Sequence, residues 1–100
     1  MILKEAFYKT IDLLDTYCSE HKQDEEVISI LSDLDCTVFQ DGKSVDQATY
    51  DDWEKMIIPF IKKGKISDND VKNVLIKFLR YYQEEFGYEL KEVTEYFINN

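Results

Sequence analysis

Cys18 and His21 stand three residues apart, a spacing that could put two zinc ligands on one helical face, with Cys36 or a carboxylate completing the set. Closed zinc sites draw mainly on Cys and His, however, and this chain has only two cysteines and one histidine. The pair is better explained by a small core thiol at Cys18 and by His21 ending a helix, where a cation meets the negative end of the dipole. No metal site is expected. Asp33-Leu34-Asp35 and Asp68-Asn69-Asp70 hold carboxylates at the short spacing that suits hard cations, but neither runs on to the Gly and Glu of a calcium loop. Solvation and helix capping account for both. Asp51 and Asp52 could share acid–base work, yet adjacent residues of a helix point in different directions. Nothing assembles a nucleophile with its base or a phosphate-binding loop, so no catalytic residue, no enzymatic activity and no cofactor is expected.

What remains is binding. From Asp33 to Glu54 seven acids (Asp33, Asp35, Asp41, Asp46, Asp51, Asp52 and Glu54) face the single base Lys43 and surround the only tryptophan, Trp53. An acidic loop leading into a helix that carries an indole suits a basic partner. These seven acids with Tyr50 are the candidate contact surface. Trp53 itself lies at helical spacing from Ile57 and Phe60, which places it on a core face; the alternative is a direct contact. Tyr50 and Tyr81 lie beside the main apolar stripes, where a tyrosine can serve an interface.

Charge supports the same direction. The chain carries 21 acids against 12 bases, a net charge of −9, which repels a phosphate backbone and argues against nucleic acid as a direct partner. The signs are also segregated: residues 55–80 hold seven bases and two acids, whereas the segments on either side are acidic. A segregated field steers an oppositely charged protein toward one face. Two cysteines make no disulfide framework, the N-terminus has no signal-like apolar run, and no stretch approaches a membrane span, so a reduced cytoplasmic protein is expected.

The elements that must position these residues are helical, because apolar residues recur at helical spacing and strict alternation is absent. In a first helix over residues 2–21 Leu3, Phe7, Ile11, Leu14 and Cys18 form a stripe; a second over 24–34 buries Val27, Ile30, Leu31 and Leu34 behind the acidic turn Asp24-Glu25-Glu26. A loop over 35–44 follows. The third helix starts near Ser44, where Ser44-Val45-Asp46-Gln47 reads as a capping box, buries Ala48, Trp53, Ile57, Phe60 and Ile61, is kinked or broken at Pro59, and ends at Gly64. Ser67-Asp68-Asn69-Asp70 caps a fourth helix whose stripe Val71, Val74, Leu75, Phe78, Leu79, Tyr82 and Phe86 is the strongest in the chain and stops at Gly87. A last helix over 89–98 adds Leu90, Val93 and Phe97. The fold expected is all-α, one domain over 1–100 built as a compact antiparallel bundle of four to five helices.

One segment carries a family resemblance. Asp41-Gly42-Lys43-Ser44-Val45-Asp46-Gln47-Ala48-Thr49-Tyr50-Asp51-Asp52-Trp53 resembles the pattern D-G-x-S/T-x-D-P-A-x-x-x-D-W of small acidic helical immunity proteins from bacterial contact-dependent growth inhibition and related polymorphic toxin systems. Gln47 stands where that pattern has Pro. Phe78-Leu79-Arg80-Tyr81-Tyr82 resembles the aromatic helix that follows in those proteins. The resemblance implies a cytoplasmic inhibitor that binds the C-terminal toxin domain of its cognate partner, commonly a cationic nuclease, as a monomer in a one-to-one complex. It implies no cofactor, no nucleic acid contact and no membrane contact. The alternative is a helical adaptor or regulator that docks on another protein without neutralising a toxin.

Overall fold

Helix-compatible sequence is punctuated by a few residues that cannot continue a helix, and those residues set the architecture. A computed structural model describes residues 1–21, 24–34 and 47–100. It contains five α-helices: α1 (Leu3–Glu20), α2 (Glu25–Leu34), α3 (Gln47–Ile57), α4 (Asp68–Phe86) and α5 (Lys91–Asn99). Each helix packs on the next, and α1 also lies against α4. The chain is an all-α bundle, as the periodicity implies.

Local chemistry explains the helix ends. Glu5 accepts from the Ile2 N–H at 3.0 Å and so starts α1. Asp24 caps α2 by accepting from the Glu26 N–H at 3.0 Å and, more weakly, from the Val27 N–H at 3.5 Å. Ser67 caps α4 by accepting from the Asp70 N–H at 3.2 Å. Pro59 breaks the third helix outright: α3 stops at Ile57 and a single 3-10 turn (Ile58–Phe60) follows, since proline fits a first turn but not an interior one. The start of α3 at Gln47 leaves the expected Ser44 cap outside the described residues.

The third helix does not reach Gly64 as expected, because Pro59 has already ended it; Gly64 sits in a turn instead. Lys62 and Lys65 exchange backbone hydrogen bonds (2.8 and 3.0 Å) across a two-residue turn whose central residues, Lys63 (φ 54°) and Gly64 (φ 75°), are both left-handed. That is the geometry of a tight hairpin turn, usually occupied by Asn-Gly. Ile66 continues it by donating to the Met1 carbonyl at 2.7 Å. Gly87 closes α4 in the left-handed conformation (φ 70°, ψ 21°). Lys63→Gly is therefore expected to raise the unfolding free energy by about 0.5 kcal/mol, and Gly87→Ala to lower it by about 1 kcal/mol. Urea unfolding followed by circular dichroism checks both, and a change of equal sign in the two variants would contradict the assignment.

The core joins Val71, Val74, Leu75, Phe78, Leu79 and Tyr82 of α4 to Val27, Ile30 and Leu34 of α2, Trp53 and Ile57 of α3, and Leu90, Val93 and Phe97 around α5. Several expected positions are corrected. The buried face of α1 is Ala6, Phe7, Thr10, Leu14 and Tyr17, with Leu3, Ile11 and Cys18 only half-buried at its edge, because the phenol of Tyr17 and the Thr10 hydroxyl face inward. Leu31, Phe60 and Ile61 are likewise half-buried. Ala48 is exposed and its neighbour Thr49 is buried in its place. Phe86, at the end of the α4 stripe, lies beyond the bundle and is 55% exposed.

Candidate protein-binding surface

The described acids of the candidate surface ride on two helices whose inner faces are fixed by buried contacts. Trp53 is fully buried, which settles its place in the core. Its indole N–H donates to Thr10 Oγ1 at 3.2 Å, and the Thr10 hydroxyl donates in turn to the Ala6 carbonyl at 2.9 Å. One turn earlier on α3, Thr49 accepts from the Tyr82 hydroxyl at 3.2 Å, also buried. The indole and hydroxyl pairs thus tie α3 to α1 and α4 and fix its rotation.

With Trp53 facing inward, the rotation of about 100° per residue distributes its neighbours. Asp51 falls on the outer side of α3 and is exposed; Asp52 and Glu54 fall on opposite flanks and are half-buried. Tyr50 shares the Glu54 flank, its ring 5.1 Å from Phe7 and 5.8 Å from Trp53. Asp33 lies in the last turn of α2, half-buried, on a helix that packs against α3. Asp35, Asp41 and Asp46 lie outside the described residues, as does Cys36. The structure therefore places Asp51, Asp52, Glu54 and Tyr50 on one helix and Asp33 on its neighbour. The three α3 acids fan around the helix and do not converge on one point. Lys55, one turn beyond Asp51, stands at the spacing where an acid N-terminal to a lysine is stabilising, and it marks the edge of the acidic zone.

Among the described residues no three of His, Cys, Asp and Glu gather around a common point. Cys18 and His21 diverge in function: the His21 ring stacks edge-on against Tyr96 at 4.5 Å and lies 5.3 Å from Tyr17. Burial pushes the Cys18 thiol above its ordinary 9.0, with the charges of Asp15 and Asp24 adding to it and a backbone hydrogen bond from Asp24 partly opposing it. A thiol held protonated is a poor nucleophile and a poor metal ligand. No described helix is long and apolar enough to cross a membrane.

No family model, curated protein or solved structure matches this chain. The functional reading accordingly rests on the residues and their geometry. One feature escaped the sequence: Phe60, placed in the core by spacing, is half-buried with Met56 on the flank of α3 that carries Asp52, beside Tyr81 of α4, which is half-buried as its place beside the α4 stripe implies. The signal available was Pro59, which ends α3 and stops it covering α4.

The buried edges of the surface carry a pH signature. Tyr50 is raised above its ordinary 10.0 by burial, then by hydrogen bonding to Glu54 and by the charges of Glu54 and Asp51. Tyr17 is raised by burial and by Glu92, Asp24, Cys18 and Tyr96. For these two phenols and Cys18 the fold favours the neutral form. The stability they contribute is complete below their ordinary values and is lost as pH rises through the raised ones. Urea midpoints are therefore expected to hold up to about pH 8 and to fall steadily toward about pH 11. Tyr50→Phe should flatten part of that slope, and an unchanged slope would show that Tyr50 contributes none of it.

Proposed function

We propose that this protein is an immunity protein that binds and neutralises a cognate bacterial toxin domain, most simply a basic nuclease, by covering its active site or substrate surface. The observation that carries the reading is the acidic helix α3: Asp51 is exposed on its outer side and Asp52 and Glu54 are half-buried on its two flanks, on a helix whose rotation is fixed by the buried Trp53–Thr10 hydrogen bond. A rigid array of carboxylates competes with phosphate for the same Lys and Arg side chains, and it needs no chemistry to do so. Pre-organisation matters here because side chains ordered only on binding would lose part of the interaction energy to entropy. The resemblance of residues 41–53 to the immunity pattern supports the same role, and it ends at the very tryptophan that anchors α3. Asp33 on α2 and Tyr50 complete the described part of the surface, which acts in the cytoplasm on a monomeric inhibitor.

The test is co-expression with the C-terminal domain of the protein encoded immediately upstream. Growth rescue together with a stable one-to-one complex on size-exclusion chromatography is the expected result. A toxic upstream domain that this chain neither binds nor neutralises would overturn the proposal.

A further inference from the structure

The break at Pro59 leaves an open groove beside the acidic zone, bordered by bases. Because α3 ends there, the face of α4 that carries Lys77, Arg80, Tyr81 and Glu84 borders an open cleft of about 570 Å³, while Phe78, Leu79 and Tyr82 of the same turns stay buried in the core. Its floor is apolar: Met56 and Phe60 from the end of α3 and its 3-10 turn, and Tyr81 from α4. Its rim is cationic. Lys55, Lys77 and Arg80 border it against the single anion Glu84, and the Lys77 ammonium sits 5.3 Å from the centroid of the Phe60 ring. Three of the seven bases of residues 55–80 thus border a half-buried apolar surface.

We infer that this groove is a second docking site, independent of the toxin-binding reading, for an acidic amphipathic helix of a partner protein. Charge complementarity selects the occupant: a segment flanked by Lys or Arg would meet three cations at the rim, whereas one flanked by Asp or Glu pairs with them. Length selects the conformation. The groove follows α4 from Lys77 to Glu84, a rise of about 10 Å at 1.5 Å per residue, which matches two turns of a helix laid alongside it. Two apolar side chains one turn apart would seat on Met56, Phe60 and Tyr81, and the carboxylates beside them would reach Lys55, Lys77 and Arg80. Groove and acidic surface share α3: Asp52 lies on the groove's flank, whereas Asp51 and Glu54 point away from it, so a basic partner seated on Asp51 and Glu54 leaves the groove open to an acidic one.

The experiment is selection of random twelve-residue peptides displayed on phage against the full chain, followed by titration of the enriched peptides into isotopically labelled protein. The expected result is enrichment of Asp and Glu around apolar pairs spaced three or four apart, with amide shifts centred on Met56, Phe60, Lys77 and Tyr81. The double variant Lys55→Glu/Arg80→Glu changes only exposed side chains and should weaken those peptides by about tenfold or more while leaving the amide spectrum dispersed. Enrichment of basic peptides, shifts that map elsewhere, or affinities untouched by the double variant would each overturn the inference. Concentration-dependent shifts of the same amides without peptide would assign the groove to a second copy of this chain and overturn it as well.

Discussion

Trp53→Ala is expected to lower the unfolding free energy by about 3–5 kcal/mol, a large share of the roughly 5–15 kcal/mol that holds a domain of this size together. The side chain is fully buried, with Phe7 edge-on at 5.3 Å and Tyr50 at 5.8 Å, so truncation empties the junction of α1 and α3. It also removes the donor to Thr10. Because the Thr10 hydroxyl still donates to the Ala6 carbonyl, it keeps one partner and its own loss is small. The reciprocal change is different in kind: Thr10→Val leaves the indole N–H buried without an acceptor, at a cost of about 1–3 kcal/mol. Trp53→Phe should fall between them, retaining most of the ring contacts. Urea unfolding followed by circular dichroism orders the three variants. If Trp53→Ala cost less than about 1 kcal/mol, the rotation of α3 would not depend on this anchor, and the outward placement of its acids would need another cause.

The same region shows what a sequence can and cannot reveal. The α4 stripe from Val71 to Tyr82 was legible because six apolar residues at helical spacing leave a single orientation for that helix. Ser67, Pro59 and Gly87 were legible as a cap, a break and a left-handed stop because each has few other conformational uses. Two features were not. Thr10 and Thr49 are buried, yet polar residues are ordinarily assigned to the outside; what holds them inside is a partner distant in sequence, Trp53 for one and Tyr82 for the other. That inward turn also carried Tyr17 into the core in place of Cys18. The Lys62–Lys65 turn was hidden because Lys63 occupies a conformation that its residue type rarely adopts. For the binding surface, counting acids revealed their density but not their directions. Directions on α3 follow only once Trp53 is known to point inward, and they then separate Asp52 from Glu54 by about half the helix circumference.

That separation makes the acidic helix separable by mutation. Against the cognate toxin domain, the triple reversal Asp51→Lys/Asp52→Lys/Glu54→Lys is expected to raise Kd by about 10²–10³, or about 3–4 kcal/mol at 1.4 kcal/mol per decade. The urea midpoint should move little for the Asp51 change, which lies on the outer side of the helix, whereas Asp52 and Glu54 are half-buried and Glu54 is hydrogen-bonded to Tyr50, so circular dichroism of the triple variant accompanies the binding measurement. Association should slow, and the dependence of the wild-type rate on salt should flatten, because a reversed surface no longer steers a cationic partner. The single variants then locate the interface. A carboxylate covered by the toxin leaves its partner charge buried and unpaired when it is removed, so the covered flank should show faster dissociation and a loss of about 2–5 kcal/mol. An acid left at the rim should alter only the association rate. Asp52 and Glu54 cannot both be central to a flat interface, because they face opposite flanks of α3. A large effect at Glu54 with a small one at Asp52 would seat the toxin over Tyr50 and α1, and the reverse would seat it toward Met56 and the groove. Unchanged affinity in the triple variant would remove α3 from the interface altogether.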